Sequence, residues 1–406
     1  MKIRSAFRRE SKESIEIDSP QNEYYEKISA GLGIFQVVLY LSLFAFVVLS
    51  FFRNTNLITY ENFYFFFKDL NASAENADVF SADSVSYPTA TNQSFSLYRK
   101  GLAVAGNNNV TVFTATGRQT VSHSIHYQNP IAVGSGRYLL VYELGGESYS
   151  LYNSYTQIHS GKSEFPIYGA AVSDSGMYAL LSGSDTHISV VSLYSSNFAL
   201  INRYSKNEYV MDVAINEKGT RLALLSSVAT GGLFESKLTF YTPREETDGV
   251  SVKVSDSLGL SCAFTASGGV GVLCSDSVSY VSAAATVEMS HRFDGREMLC
   301  TALNRDGLAV CLRSSDISQK NDIIVFDKNG KMLYNESVPR NAEQISRFED
   351  SIFLLHSGGL TRIDVSQQTV TEYPCATDQC KVLAVDKDEV LLCSPQKADY
   401  IQFTDS

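Results

Sequence analysis

Six histidines and seven cysteines are the side chains here best suited to metal ligation, redox work or nucleophilic attack. The histidines are scattered. His123 and His126 are the one close pair, and a separation of three along a strand sends the two rings to opposite faces. No HExxH, GxSxG, Walker loop, EF-hand or CxxC pattern occurs. Asp386-Lys387-Asp388 has the carboxylates to touch calcium, but this spacing is also ordinary hairpin chemistry. The chain has no tryptophan to stack on a flat cofactor or sugar, and its 23 Tyr and 23 Phe fall mostly at strand positions that packing explains. The sequence therefore offers no catalytic, cofactor-binding or metal-ligating residue, and no cofactor is expected.

All seven cysteines lie beyond residue 260, and six of them form three similarly placed pairs. Cys262 and Cys274 flank the turn near Gly268, Cys300 and Cys311 flank Arg305-Asp306, and Cys380 and Cys393 flank Asp386-Lys387. Each pair is expected to face across a hairpin, where opposed Cα atoms approach the short end of disulfide geometry. Two readings stand: structural disulfides formed in an oxidising exterior, or buried thiols used as small hydrophobes. Cys375 and Cys380 offer a competing local bridge, and the odd count leaves at least one thiol free.

The elements that would position these residues repeat. From Phe95 to Phe403 a tight turn precedes a small-residue apolar run, as in Leu102–Gly106 (LAVAG), Tyr178–Gly183 (YALLSG), Leu308–Arg313 (LAVCLR) and Val390–Pro395 (VLLCSP). The turns carry Gly, Asp or Asn, which tolerate the backbone of tight hairpins. An alternating strand follows each run, such as VTVFTA from Val110 or IIVFD from Ile323, and then a more polar strand such as Lys331–Ser337. Four antiparallel strands in roughly 40 residues make a propeller blade. The fold expected is all-β, an eight-bladed β-propeller (seven-bladed if one unit is miscounted), occupying 79–406. Its last unit ends after a third strand, so Val79–Ser86 is expected to complete that blade and leave no open edge. Two inserts in the fourth unit, Val228–Ser236 and Pro243–Gly249, are expected to project as loops.

Ahead of the propeller, Ile34 to Phe52 is a 19-residue run without charge. As a helix it would cover roughly 28 Å, about the hydrocarbon thickness of a bilayer. No small-x-small cleavage site follows it, so residues 33–52 are expected to be one retained transmembrane helix. Residues 1–32 carry six Lys or Arg, against Arg53 and Lys68 in the 20 residues after the helix. That asymmetry puts the tail, 1–32, in the cytoplasm and the propeller outside. Tyr60, Phe63, Tyr64, Phe65, Phe66 and Phe67, within the 53–78 juxtamembrane and linker segment, read as an interfacial belt. The tail's six acids balance its bases, so the net charge of −11 lies beyond the helix. An acidic ectodomain argues against nucleic acid as a partner.

This order of parts resembles an uncharacterised bacterial family of Clostridia-type anaerobes. Its members have a short tail, one anchor helix, an aromatic segment like Tyr60–Leu70 and a WD40-like or quinoprotein-like propeller outside. The resemblance implies a single-pass protein of the cell membrane and brings no catalytic residues. The function expected is a non-enzymatic scaffold that presents a propeller face to another envelope protein. A ligand sensor or enzyme acting on a small molecule or glycan at the channel mouth is the alternative, and a component of an envelope assembly machine a third.

Overall fold

The computed structural model describes residues 32–33, 35–45, 83–245, 249–314, 321–338, 342–375 and 378–403. The chain divides into two compact units, Met1–Tyr64 and Phe65–Ser406. In the first, residues 32–33 and 35–45 are helical, and the apolar side chains from Phe35 to Phe44 are exposed. Among the described residues no helix is long and apolar enough to cross a membrane. The transmembrane helix expected over 33–52 is therefore not shown; residue 34 and residues 46–52 of that run lie outside the described residues, as does the aromatic segment from Tyr60 to Phe67.

The second unit holds eight four-stranded antiparallel sheets, an eight-bladed propeller. Blade 1 spans 93–124, blade 2 130–162, blade 3 167–206, blade 4 209–255, blade 5 259–292, blade 6 298–338 and blade 7 342–373. Blade 8 takes three strands from 381–402 and its fourth from Ser84–Ser86, which pairs antiparallel with Lys397–Asp399. The two ends of the ring are thus stitched by backbone hydrogen bonds.

Eight apolar clusters hold the ring, one at each junction between neighbouring blades. This explains the strand patterns. Second strands such as Gly101–Gly106 and Val270–Cys274 are buried at every position, because a neighbouring blade covers each face. They accordingly read as unbroken apolar runs. Fourth strands lie at the rim: Val287–Arg292 alternates half-buried and exposed residues, and Thr369–Tyr373 is exposed throughout.

The first strand of each blade packs against the first strand of the next around the axis. Such strands have no ladder partner on that side, so their N–H groups need acceptors. Short polar side chains of the preceding blade supply them. Ser94 and Ser96 Oγ accept from the N–H groups of Ala132 and Gly134, each at 3.0 Å. Asp212 Oδ2 accepts from Cys262 N at 2.8 Å, and Ser346 Oγ from Ala384 N at 2.9 Å. The approach is close enough that a Cβ at Gly134 would fall on the carbonyl oxygen of Leu97. Gly134→Ala is expected to lower the unfolding free energy by about 2 kcal/mol through overpacking, read as a lower urea midpoint at unchanged slope.

The Val228–Ser236 insert is not a loop. Strands Leu222–Thr230 and Leu233–Tyr241 continue through it as a paired ribbon, turning at Gly231-Gly232 with φ of 62° and 83°. Alternation within the insert was hidden by the glycine pair that closes it.

Candidate functional site

A cavity of about 690 Å³ opens at one end of the propeller axis. Seven blades line it, all but blade 5, through the ends of their first strands and the turns that follow. Leu97, Val172, Ile215, Phe348, Ala384 and Val385 form an apolar wall. An adjoining cavity shares Val172 and Ile215 and continues that wall with Ala170, Ala214, Ala263 and Phe264.

The rim is charged, and hairpin geometry puts the charges there. In blades 1, 6, 7 and 8 the first hairpin closes with two residues between Tyr98 and Gly101, Asn304 and Gly307, Phe348 and Ser351, and Asp386 and Glu389. The tips are Arg99-Lys100, Arg305-Asp306, Glu349-Asp350 and Lys387-Asp388. Arg99 and Lys100 both adopt left-handed backbone, with φ of 50° and 59°. A two-residue hairpin of type I′ needs that conformation at both central residues, and Asn-Gly satisfies it cheaply. Two long cations there cost about 1–2 kcal/mol each.

The rim charges are largely paired with one another. Lys100 Nζ meets Asp386 Oδ2 at 3.1 Å, joining blade 1 to blade 8. Arg305 meets Glu217 at 2.8 Å, reaching from blade 6 to blade 4 past the blade 5 turn. Asp174 Oδ1 accepts from Gly136 N at 2.5 Å, and Asp306 Oδ2 from Glu349 N at 3.0 Å. Lys100–Asp386 and Arg305–Glu217 are exposed enough that salt would screen them and a partner could replace them at little cost. Arg347 differs: it is 4% exposed, and its guanidinium donates to the carbonyls of Leu308, Phe326 and Glu349.

The sequence-derived residues fall as follows. Cys300 and Cys311 are directly opposed. Cys262 is not opposite Cys274: it faces Val272, and Cys274 faces Gly259, because the hairpin is centred nearer Ser267 and a bulge lies between Gly259 and Ser261. Cys393 faces Lys381 rather than Cys380, whose Sγ donates to the Cys393 carbonyl at 3.2 Å. All seven cysteines are unbridged thiols. His123 packs edge-on against Tyr152, whereas His126 is exposed, so the two rings do not converge. Asp386 and Asp388 are engaged by Lys100 and Arg362. Among the described residues no cluster of His, Cys, Asp or Glu could hold a metal ion.

The charged mouth itself escaped the reading of the sequence. Its signal was present: charged dipeptides recur at the same place in four repeats. They look like solvated turns until the ring brings Arg99-Lys100 and Arg305-Asp306 to one opening, beside Asp174 and Glu217.

A closed eight-bladed ring with an apolar axial cavity under a charged rim defines a β-propeller of WD40-like architecture. Residues 76–403 match the family of unknown function DUF5711, and the chain belongs to that family. Among curated proteins none matches significantly. Solved structures show the fold at low identity. Sqt1 from Saccharomyces cerevisiae has a TM-score of 0.58 at 8% identity, covering 80% of this chain and 100% of its own. The C-terminal WD40 domain of Sif2 has a TM-score of 0.56 at 9% identity, covering 79% and 97%. BamB from Moraxella catarrhalis has a TM-score of 0.54 at 11% identity, covering 80% and 98%.

Proposed function

We propose that this propeller is an interaction scaffold whose docking face is the charged mouth, held at the cell envelope by a membrane anchor in residues 33–52. The observation that carries the scaffold reading is the convergence of charged turns from separate blades on one opening. Two of those charges, Arg99 and Lys100, sit in a backbone that disfavours them. Strain of this kind persists where the surroundings enforce it, and it concentrates at working surfaces. The rim pairs are weak enough to exchange for pairs with a partner protein. WD40 and BamB-like neighbours are in keeping with that use of the fold. The anchor rests on the uncharged run 34–52 and on the exposed apolar helix within it. A cytoplasmic tail and an outward propeller follow from the flanking charges, and acidity of the propeller disfavours nucleic acid.

The test is co-purification from native membranes after a carbonate wash, comparing the wild type with the double variant Lys100→Glu, Arg305→Glu. A partner protein is expected with the wild type and at least tenfold less of it with the variant, with folding unchanged by circular dichroism. Release of the chain by carbonate would sink the anchor; equal recovery of every companion protein would sink the mouth as the docking face. A second reading, a small-molecule receptor, draws on the cavity, whose 690 Å³ lies within the range of ligand pockets. It requires a low-mass compound that leaves the purified propeller on unfolding and is seen by mass spectrometry.

A further inference from the structure

Of the three cysteine pairs that the repeats suggest, one has the geometry to close. Cys300, on the first strand of blade 6, is the direct register partner of Cys311 on the second. The bulge between Met298 and Cys300 lies just beyond the pair, so register from Cys300 to the turn at Asn304–Gly307 is unbroken. Opposed residues of an antiparallel pair have Cα atoms about 4.5–5.5 Å apart, inside the span a disulfide bridges. Both cysteines belong to the apolar cluster at the junction of blades 6 and 7, where Cys311 is fully buried.

The other pairs fail on the same criteria. Cys274 stands two residues beyond Val272, the partner of Cys262, so those cysteines are diagonal, about 7–8 Å apart. Cys380 lies just outside the strand, one residue before Lys381, the register partner of Cys393, and its Sγ is turned to the Cys393 carbonyl.

We propose that Cys300 and Cys311 form a disulfide across the first hairpin of blade 6 when the chain folds under oxidising conditions, and that the other five cysteines stay reduced. The inference does not depend on the docking role of the mouth. The oxidant is a disulfide compound, such as oxidised glutathione or an oxidised dithiol oxidoreductase. The thiolate of one cysteine attacks a sulfur of that disulfide, forming a mixed disulfide and releasing one thiol. The second cysteine, as thiolate, attacks the protein sulfur of the mixed disulfide and releases the other thiol. The protein loses two hydrogens and two electrons, and the oxidant gains both as two thiols. Burial of Cys311 requires the exchange to run before blade 6 docks on blade 7.

The full chain, reduced and denatured, is refolded in detergent in a glutathione redox buffer, quenched with an alkylating agent and mapped by mass spectrometry. The expected result is a linked Cys300–Cys311 peptide as the dominant disulfide, with the remaining cysteines alkylated. Wild type refolded with oxidant should also unfold at higher urea than wild type refolded with dithiothreitol, and a Cys300→Ser variant should show no such difference. Folded protein in which Cys300 and Cys311 are both alkylated after unfolding overturns the proposal, as does a dominant link between any other pair. The wild-type map decides the matter even where the serine variant does not fold.

Discussion

Replacing Arg347 by methionine is expected to lower the unfolding free energy of the propeller by about 3–5 kcal/mol. Arg347 lies on the first strand of blade 7, yet two of its hydrogen bonds reach into blade 6. Leu308 and Phe326 are register partners on neighbouring strands of that blade, and their carbonyls meet one guanidinium nitrogen at 3.3 and 2.5 Å. Nε donates to the carbonyl of Glu349 at 2.8 Å. A planar fork that is 4% exposed thus satisfies three carbonyls at the junction of two blades. Burial pulls the guanidinium pKa down, while Asp306, Asp350 and Asp327 nearby favour the charge. Methionine keeps the apolar stem and removes every donor. Each buried carbonyl left without its partner costs about 1–3 kcal/mol. Lysine restores the charge but not the fork, so Arg347→Lys should recover less than half of the loss. Urea midpoints at constant slope measure both. A loss under about 1 kcal/mol for methionine would mean that water takes over the carbonyls and that the junction does not depend on this side chain.

That residue shows where the sequence was readable and where it stopped. The propeller was legible because each second strand is covered on both faces, and an unbroken small apolar run such as LAVAG after a tight turn has few other uses. Eight such runs gave eight blades. Pairing detail was legible only where no bulge intervened. The Cys300–Cys311 register follows from counting outward from Arg305-Asp306, whereas the bulge at Gly259–Ser261 and a turn one residue earlier than supposed moved Cys262 off Cys274. Bulges depend on local twist and leave no fixed residue type behind. The mouth was hidden for a different reason. Lys100 and Asp386 are 286 residues apart along the chain and meet only because the ring closes. An Arg in the alternating sequence AEQISRF reads as a solvated position until a neighbouring blade covers it.

A second buried charge gives the molecule a pH signature. Asp212, on the first strand of blade 4, binds two N–H groups, Cys262 N at Oδ2 and Val213 N at Oδ1, each at 2.8 Å. Burial nevertheless dominates and raises its pKa from 3.8 to about 6, the two hydrogen bonds opposing. Its titratable neighbours Cys262 and Tyr142 are themselves shifted upward and stay neutral through that range. For an acid whose folded pKa is raised, the native state holds the proton more tightly than the unfolded chain. The slope of stability with pH is then negative between the two pKa values. This group's contribution is full below about pH 4 and is lost as pH rises to about 6. A shift of about two units corresponds to about 3 kcal/mol. Asparagine cannot ionise, so Asp212→Asn is expected to remove this slope. The wild-type minus variant difference in unfolding free energy should fall by about 2–3 kcal/mol from pH 4 to pH 7 and change little above it. Taking the difference cancels the carboxylates common to both proteins, including those of the rim. A flat difference across that interval would show that Asp212 is ionised in the fold at pH 4, and that its two N–H partners outweigh the cost of burying it.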